Sequence, residues 1–386
     1  MKNTIYSKTL ILCLALIFVF SSIVCADGSY YAPVNAENRF PDISASSYAL
    51  LDARTGEVIF CHNENKRMPI ASITKIMTAL VVLENAKLDE SVTVTAESCG
   101  IEGSSIYLYE GEKLSVNDLL YALMLESAND AAVCLANYVA GSVDEFSDMM
   151  NSKSDSLGLK NTHFNNPHGL EDPEHYSTAK DIAIIWNECM KNDTFRQIVG
   201  TKTYRIDLSE EDGYRFLSNH NKLLKSYEYC IGGKTGFTKA SGRCLVSGAK
   251  LDDLELVMVT LNDPNDWLDH ENLLSYAMNL YSKVNVATVG SLNVDVPVVG
   301  GKYTKVTLNN IEERIISVRD VSKLSSRVEA PRFIYAPITT TDKPLATVVY
   351  LYDGKEVDTV DLYPETTVDT VKKEGFFKRL FNSIFK

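Results

Sequence analysis

The chain has 386 residues, of which 45% are apolar and 23% are charged. These proportions are typical of a globular protein with at least one large core, and they argue against a disordered or fibrous chain. The formal charge of −13 argues against a nucleic acid as a partner.

The first 26 residues are typical of a secretory signal peptide. Lys2 and Lys8 give a positive start, residues 10–24 are apolar, and residues 24–26 form a small-residue cleavage site. The apolar stretch is on the short side for a retained membrane span. We therefore expect cleavage after Ala26 and an exported mature chain.

The cysteines and histidines show no metal-binding spacing. Two of the eight cysteines lie in the signal peptide, and the other six include no Cys-x-x-Cys pair. The histidines include no His-x-x-x-His pair. The sequence thus predicts no metal and no cofactor. His168 and His175 remain candidates because their loop is expected to border the active site.

The first half of the chain alternates strands and helices, by the periodicity of its apolar residues. A loop leads to Ser72, and the apolar residues 76–83 predict a buried helix after it. The predicted elements are strands at 47–52 and 57–61, the helix from about 72, an extended stretch at 90–96, and helices at 115–126, 130–139 and 143–157.

The second half begins with a loop at residues 165–169. Ser177 is predicted to cap the helix that follows. The further elements are that helix to about 191, a strand at 231–237, hairpin strands at 243–250 and 254–261, and a closing helix at 267–284. We expect an α/β (α+β) catalytic domain over 36–284, with helices on an antiparallel sheet.

After residue 284 the pattern changes twice. Residues 286–364 are rich in Val and Thr, and two strands flanking Asp353-Gly354 predict a hairpin. We expect a small all-β domain over 285–366. In residues 367–386, four phenylalanines share one helical face and several lysines lie elsewhere, which predicts an amphipathic helix on the membrane surface.

The pattern Ser-x-x-Lys occurs four times, at Ser72, Ser177, Ser247 and Ser383. Residues at i and i+3 share a helical face, so Ser72 is expected beside Lys75. Ser177 is explained as a helix cap, and Ser383 belongs to the tail. Ser247 lies on a strand, where residues three apart face opposite ways.

Two further patterns follow Ser72 in order. Ser-x-Asn gives Ser127 and Asn129, and Lys-Thr-Gly occurs once, at residues 234–236. The other Ser-x-Asn patterns are explained by a helix cap at Ser115 and by the late position of Ser291. Each pattern is weak alone, but the ordered set is a known catalytic combination.

The catalytic side chains suit acyl transfer through a serine. Ser72 is the candidate nucleophile and Lys75 its general base, with its charge suppressed by burial and by Lys234. Ser127 is the candidate proton relay to the leaving nitrogen. Asn129 would hold a substrate amide or orient Lys75.

The third pattern supplies candidates for binding. Lys234 and Thr235 suit a substrate carboxylate, and Gly236 would let substrate backbone approach the strand. The backbone amides of Ser72 and Phe237 are the candidate oxyanion hole.

These patterns resemble the low-molecular-mass penicillin-binding proteins, and among them the D-alanyl-D-alanine carboxypeptidases. The resemblance is continuous over about residues 40–284, and the β domain and tail are similar in plan. The segments that carry it are 69–79, 127–131 and 233–238, with 168–170, 175–181 and 219–224 in support.

The resemblance implies a penicilloyl-serine-transferase (β-lactamase-like) fold and removal of the terminal D-alanine from peptidoglycan stem pentapeptides. It also implies acylation by β-lactam antibiotics at the outer face of the cytoplasmic membrane. Two departures stand out. In some members a histidine stands at the position of Phe237. Many members have an arginine at the start of the last helix, where this chain has Asp-Trp-Leu-Asp-His at residues 266–270. Without that arginine, binding of the substrate carboxylate is expected to rest more on Lys234 and Thr235.

Other functions share part of the pattern. A D,D-endopeptidase would use the same residues, and the sequence leaves that alternative open. A class A β-lactamase carries Glu-x-x-Leu-Asn between the second and third patterns, and none occurs between Asn129 and Lys234. A β-lactam sensor usually adjoins a transmembrane signalling region, which the sequence does not predict. A metal-dependent D,D-peptidase needs histidines at metal-ligand spacing, and the six histidines do not have it.

Overall fold

The computed structural model describes residues 40–208, 213–340 and 343–371. The predicted signal peptide and residues 372–386 of the predicted tail lie outside these ranges. No helix within them is both long and apolar enough to cross a membrane. The chain divides into two compact units between Ser282 and Lys283.

The strands of the first unit form one main sheet and two small hairpins. Those described are β1 (Ser47–Asp52), β2 (Glu57–His62), β3 (Ser91–Thr93), β4 (Lys113–Ser115), β5 (Thr203–Leu208), β6 (Gly213–Ser218), β7 (Cys230–Thr238), β8 (Gly242–Leu251) and β9 (Leu254–Leu261). The main sheet is antiparallel, in the order β2-β1-β9-β8-β7. The strand β7, which carries Lys-Thr-Gly, is therefore at an edge.

Helices cover both faces of this sheet. Those described are α1 (Lys75–Asn85), α2 (Val116–Tyr121), α3 (Asn129–Ala140), α4 (Val143–Ser156), α5 (Ala179–Cys189), α6 (Asp193–Gly200), α7 (Leu223–Ser226) and α8 (Asp266–Met278). Side chains alternate along a strand, so Ala49 and Leu51 join the core around α1, α3 and α5. Tyr48 and Leu50 join the core under α8.

The second unit is a β domain with its own core. Its described strands are β10 (Ser282–Ala287), β11 (Asn293–Val299), β12 (Lys305–Asn309), β13 (Arg314–Val318), β14 (Leu324–Glu329), β15 (Ile334–Tyr335), β16 (Ala346–Tyr352) and β17 (Lys355–Pro364). The predicted hairpin at Asp353-Gly354 is present as β16–β17. Val368 bridges to Ile338 and is buried in this core. The predicted fold class, an α/β domain followed by a β domain, is confirmed.

Two local predictions were wrong. The closing helix ends at Met278 and does not reach residue 284, because Val284 and Val286 alternate into the β-domain core and form β10 instead. The cap of α5 is Thr178, whose hydroxyl accepts a hydrogen bond from Asp181 N at 3.0 Å. Ser177 instead lies 2.7 Å from Thr162 through its hydroxyl.

His270 is not at the surface, as most of the histidines were expected to be. It lies on α8 with no exposed area, and its ring nitrogens are 2.9 Å from Ser247 Oγ and 3.0 Å from Thr260 Oγ1. Burial lowers the pKa of His270 to about 3. Neutral imidazole is therefore the form that the folded protein holds.

Replacing His270 with Gln tests this assignment. Because the pKa of His270 is lowered from 6.5 to about 3, its stabilising contribution is complete above pH 6.5 and is lost as the pH falls towards 3. In H270Q, the free energy of unfolding should fall less steeply between pH 6 and pH 4, by up to about 1.4 kcal/mol per pH unit. Urea unfolding followed by tryptophan fluorescence reports on the first unit, which contains both tryptophans.

The exposed His62 provides the matched control. H62Q should keep the steep dependence of the parent protein. Equal slopes in H270Q and the parent would show that His270 is not the group that titrates.

Candidate active site

Ser72 lies in a 3₁₀ turn, Ala71–Thr74, that runs directly into α1. The residue before it, Ala71, has a φ of 47°, in the left-handed region that non-glycine residues seldom adopt. Such strain persists only where the surroundings fix the backbone. Here α1 fixes it, since its residues from Lys75 to Val82 are all buried.

Lys75 is held beside Ser72 by three contacts. Its Nζ lies 3.0 Å from Ser72 Oγ, 2.6 Å from Asn129 Oδ1 and 2.7 Å from the His168 carbonyl oxygen. Burial, and then the charge of Lys234, lower the pKa of Lys75 well below its ordinary value. Neutral lysine has two hydrogens and one lone pair. The two acceptors take the hydrogens, so the lone pair is left for the proton of Ser72.

Ser127 and Asn129 follow an irregular turn. A π-helical turn, Ala122–Glu126, continues α2, and Ser127 then adopts a φ of 61°. Single π turns are frequent at functional sites. This backbone turns Ser127 towards the sheet and lets Asn129 begin α3 with Oδ1 on Lys75 and Nδ2 donating to Glu102 O at 2.5 Å. Of the two sequence-based roles for Asn129, the described contacts support the orientation of Lys75.

Lys234 lies on the inner side of β7 and is almost fully buried. Its Nζ donates to Ser127 Oγ and to the Thr235 carbonyl oxygen, each at 2.9 Å. Burial lowers the pKa of Lys234 to about 7. Its ammonium is thus placed to act on Ser127 and, as the sequence predicted, on Lys75; the predicted contact of Lys234 with a substrate carboxylate stays a prediction.

Strand β7 packs directly against the turn that carries Ser72. A Cβ on Gly236 would lie 3.1 Å from the backbone nitrogens of Ser72 and Ile73 and from Ile70 O. Glycine is therefore required here by the protein's own packing, in addition to the predicted approach of substrate. The next residue, Phe237, has a side chain that is 66% exposed and lies at the edge of the cavity over Ser72.

The loop that contains His168 and His175 supports the Ser72 turn. His175 is buried, with Nδ1 accepting from Asn165 N at 3.0 Å and Nε2 2.7 Å from Thr74 Oγ1. Thr74 in turn donates to Ala71 O at 2.8 Å. Burial lowers the pKa of His168 to about 3 and that of His175 to about 4. Both rings are therefore neutral at neutral pH. His175 supports the turn through Thr74, whereas the His168 ring accepts a hydrogen bond from Leu170 N at 3.1 Å within its own loop.

A cavity of about 360 Å³ opens over Ser72, Ser127 and Thr235. Its far wall holds Arg243, whose Nη2 donates to both carboxylate oxygens of Asp266 at 2.9 and 2.8 Å, and Trp267 lies 5.8 Å from that guanidinium. His220 and Lys222 complete this wall.

Sequence reasoning missed Arg243. The pairing of the two strands could have revealed it. The β7–β8 hairpin places Arg243 opposite Phe237, so both side chains lie on the same face of the sheet. Within the described ranges, no group of three His, Cys, Asp or Glu residues is arranged to hold a metal ion.

Comparison with known proteins places this geometry in a family. Residues 34–265 match peptidase family S11, described as D-alanyl-D-alanine carboxypeptidase. The chain is 32% identical to the D-alanyl-D-alanine carboxypeptidase DacF of Bacillus subtilis, over 86% of this chain and 87% of that protein. It is 30% identical to DacA of Escherichia coli, over 99% and 98%.

A solved structure is similar over most of the chain. Penicillin-binding protein 5 from Haemophilus influenzae superposes with a TM-score of 0.62 at 28% identity, covering 86% of this chain and 99% of that one. The family resemblance predicted from the sequence is confirmed.

Replacing Gly236 with Ala tests the contact between β7 and the Ser72 turn. The added Cβ meets backbone atoms at 3.1 Å, which cannot move independently. We expect a loss of about 1–3 kcal/mol in the free energy of unfolding, as for other overpacked sites. The control is G213A on β6, where the nearest atom is a Leu208 side-chain carbon at 3.5 Å. Equal melting temperatures for the two variants would contradict the close packing.

Proposed function

The chain belongs to the D-alanyl-D-alanine carboxypeptidase family, and we propose that it releases the terminal D-alanine of peptidoglycan stem pentapeptides through an acyl-enzyme on Ser72. The observation that carries this proposal is the buried amine of Lys75, whose Nζ lies 3.0 Å from Ser72 Oγ and whose pKa is lowered by burial. A serine hydroxyl needs such an adjacent base to act as a nucleophile.

Acylation begins when Ser72 Oγ bonds to the carbonyl carbon of the penultimate D-alanine and its proton passes to Lys75 Nζ. The carbonyl oxygen becomes an oxyanion, held by the backbone N–H groups of Ser72 and Phe237. Removing one such donor typically costs on the order of 10²–10³ in rate.

Collapse of this intermediate breaks the C–N bond. The leaving nitrogen takes a proton from Ser127 Oγ, which is replenished from the ammonium of Lys234 at 2.9 Å. Transfer of the proton from Lys75 to Lys234 then returns both amines to their starting forms. Water attacks the ester and gives a proton to Lys75, and Lys75 returns it to Ser72 Oγ as the bond between that oxygen and the acyl carbon breaks. The same nucleophile would open a β-lactam ring and form a penicilloyl ester on Ser72.

The terminal carboxylate of the substrate binds at the wall made by Thr235 and Arg243. Arg243 uses only Nη2 for Asp266, and within the described residues its Nε and Nη1 make no hydrogen bond. Guanidinium and carboxylate form strong charge-assisted pairs. Arg243 thus takes the role for which Lys234, occupied by Ser127, is poorly placed.

We further propose that the enzyme is exported and rests on the outer face of the cytoplasmic membrane through residues 372–386. Peptidoglycan lies outside that membrane, and the first 26 residues have the composition of a signal peptide. The apolar face of the tail, with lysines beside it, suits an interfacial helix.

Replacing Ser72 with Ala tests the nucleophile. S72A should lose release of D-alanine from a pentapeptide by at least about 10³-fold, and mass spectrometry should find no penicillin adduct. The control is S156A, at an exposed position at the end of α4, which should keep both. Retention of either activity in S72A would falsify the assignment. Cleavage of a cross-linked peptide but not of the pentapeptide would identify an endopeptidase instead.

Deleting residues 372–386 tests the membrane proposal. Val368 is left in place because it packs in the β-domain core. We expect the full mature chain to sediment with vesicles containing anionic lipid and the shortened chain to stay in the supernatant. Equal penicillin labelling of both would show that the first unit is intact. The proposal fails if the shortened chain still sediments.

A further inference from the structure

A second cavity, of about 500 Å³, lies beside the one that contains Ser72. We call it the loop cavity, because residues 171–173, 175 and 176 form one wall. Arg67–Pro69 and Ala240 form the others. It shares no lining residue with the Ser72 cavity.

The loop cavity is within reach of a substrate bound at Ser72. Pro69 lies three residues before Ser72, and Ala240 lies three residues after Phe237, so each is at most about 11 Å away along the chain. A peptide cleaved at Ser72 has its terminal carboxylate on one side and the rest of its chain on the other. Since Thr235 and Arg243 take the carboxylate in the Ser72 cavity, the loop cavity is left for the other side.

The first charged group of the loop cavity is a guanidinium. Arg67 stacks on the Tyr176 ring at 4.8 Å and donates to Asn161 Oδ1, Lys160 O and the Tyr176 hydroxyl at 3.1 to 3.3 Å. All three acceptors are neutral, and in the described part of the chain no carboxylate pairs with Arg67. Its position is therefore fixed while its charge stays available.

Two carboxylates face the same space. Glu171 accepts a hydrogen bond from Ala240 N at 3.2 Å through Oε1, which ties the loop to the β7–β8 turn and leaves Oε2 without a partner in the described ranges. Asp172 uses Oδ1 to accept from Glu174 N at 2.8 Å. Between the charges the wall is apolar, with Met68 and Pro69.

An apolar cavity with one cation and two carboxylates is complementary to an aliphatic side chain that ends in both an ammonium and a carboxylate. We propose that the loop cavity binds the side chain of the third stem-peptide residue and selects a diaminopimelate-type residue, with its ammonium on Glu171 and its carboxylate on Arg67. This proposal rests on the proposed carboxypeptidase function. The third residue can reach the loop cavity from Ser72. One residue step from the cleaved bond and an extended side chain together span about 10 Å, which is comparable with the chain distance of at most about 11 Å given above.

The test uses three pentapeptides that differ only at the third residue, which is meso-diaminopimelate, lysine or norleucine. The parent protein should prefer the first over the third by roughly tenfold in kcat/KM, the value expected of two solvent-exposed ion pairs. Lysine should fall between, because it keeps the ammonium and lacks the carboxylate.

The variants E171Q and R67Q assign the preference to its residues. The Gln in E171Q keeps an acceptor for Ala240 N and removes only the charge. Each variant should lower the diaminopimelate-to-norleucine ratio, and R67Q should lower it to about the lysine-to-norleucine ratio of the parent protein, because each variant keeps one of the two contacts. The control E174Q changes an exposed carboxylate of the same loop that does not line the cavity, and it should keep the parent ratio. Both rates come from one preparation, so the ratio does not depend on the folded fraction.

The outcomes separate the two proposals. A parent ratio near one, or a ratio that survives in both E171Q and R67Q, overturns the loop-cavity assignment and leaves the carboxypeptidase function intact. Release of D-alanine from none of the three peptides overturns the proposed function, and the subsite with it.

Discussion

The site depends on the burial of two lysines, Lys75 and Lys234, within one small space. An amine without water must lose its proton or find acceptors, because an unpaired buried charge is very costly. The acceptors are Asn129 Oδ1, the His168 carbonyl, Ser127 Oγ and the Thr235 carbonyl. They come from three segments, which are the turn at residues 127–129, the loop that contains His168, and β7. Satisfying the two amines therefore brings these segments together with α1, which carries Lys75.

This convergence requires unusual backbone. Ala71 and Ser127 have positive φ, and so does Gly169, at 89°, where an added Cβ would lie only 2.0 Å from Ala71 O. For the two non-glycine residues, Ala71 and Ser127, this conformation costs on the order of 1–3 kcal/mol each, whereas glycine adopts it without that cost. The buried helix α1 and the apolar strands around it stabilise the surroundings enough to hold them. The irregular residues are those that aim Ser72, Lys75 and Ser127, so stability from the core maintains the geometry of the site.

Sequence patterns revealed the parts of this arrangement that are local. Ser72 and Lys75 share a helical face at i and i+3, and the ordered patterns at Ser127 and Lys234 identified the other segments. Contacts fixed by strand register were not accessible in this way. The role of Arg243 depends on which residue β7 places opposite it, and the environment of His270 depends on which face of α8 meets β8 and β9. A one-residue shift in either would reverse the result.

The sequence departure at residues 266–270 and the role of Arg243 are connected, because Arg243 binds Asp266. Where the family resemblance predicts an arginine on the last helix, this chain has Asp266, an acid that alone would repel a substrate carboxylate. Burial raises the pKa of Asp266, although the hydrogen bond from Arg243 acts in the opposite direction. The acid holds an arginine supplied by β8, and Trp267 lies against its guanidinium. Because one nitrogen of Arg243 binds both oxygens of Asp266, the other two still face a ligand. In this chain the positive charge thus comes from the strand β8, and the helix α8 supplies the acid that positions it.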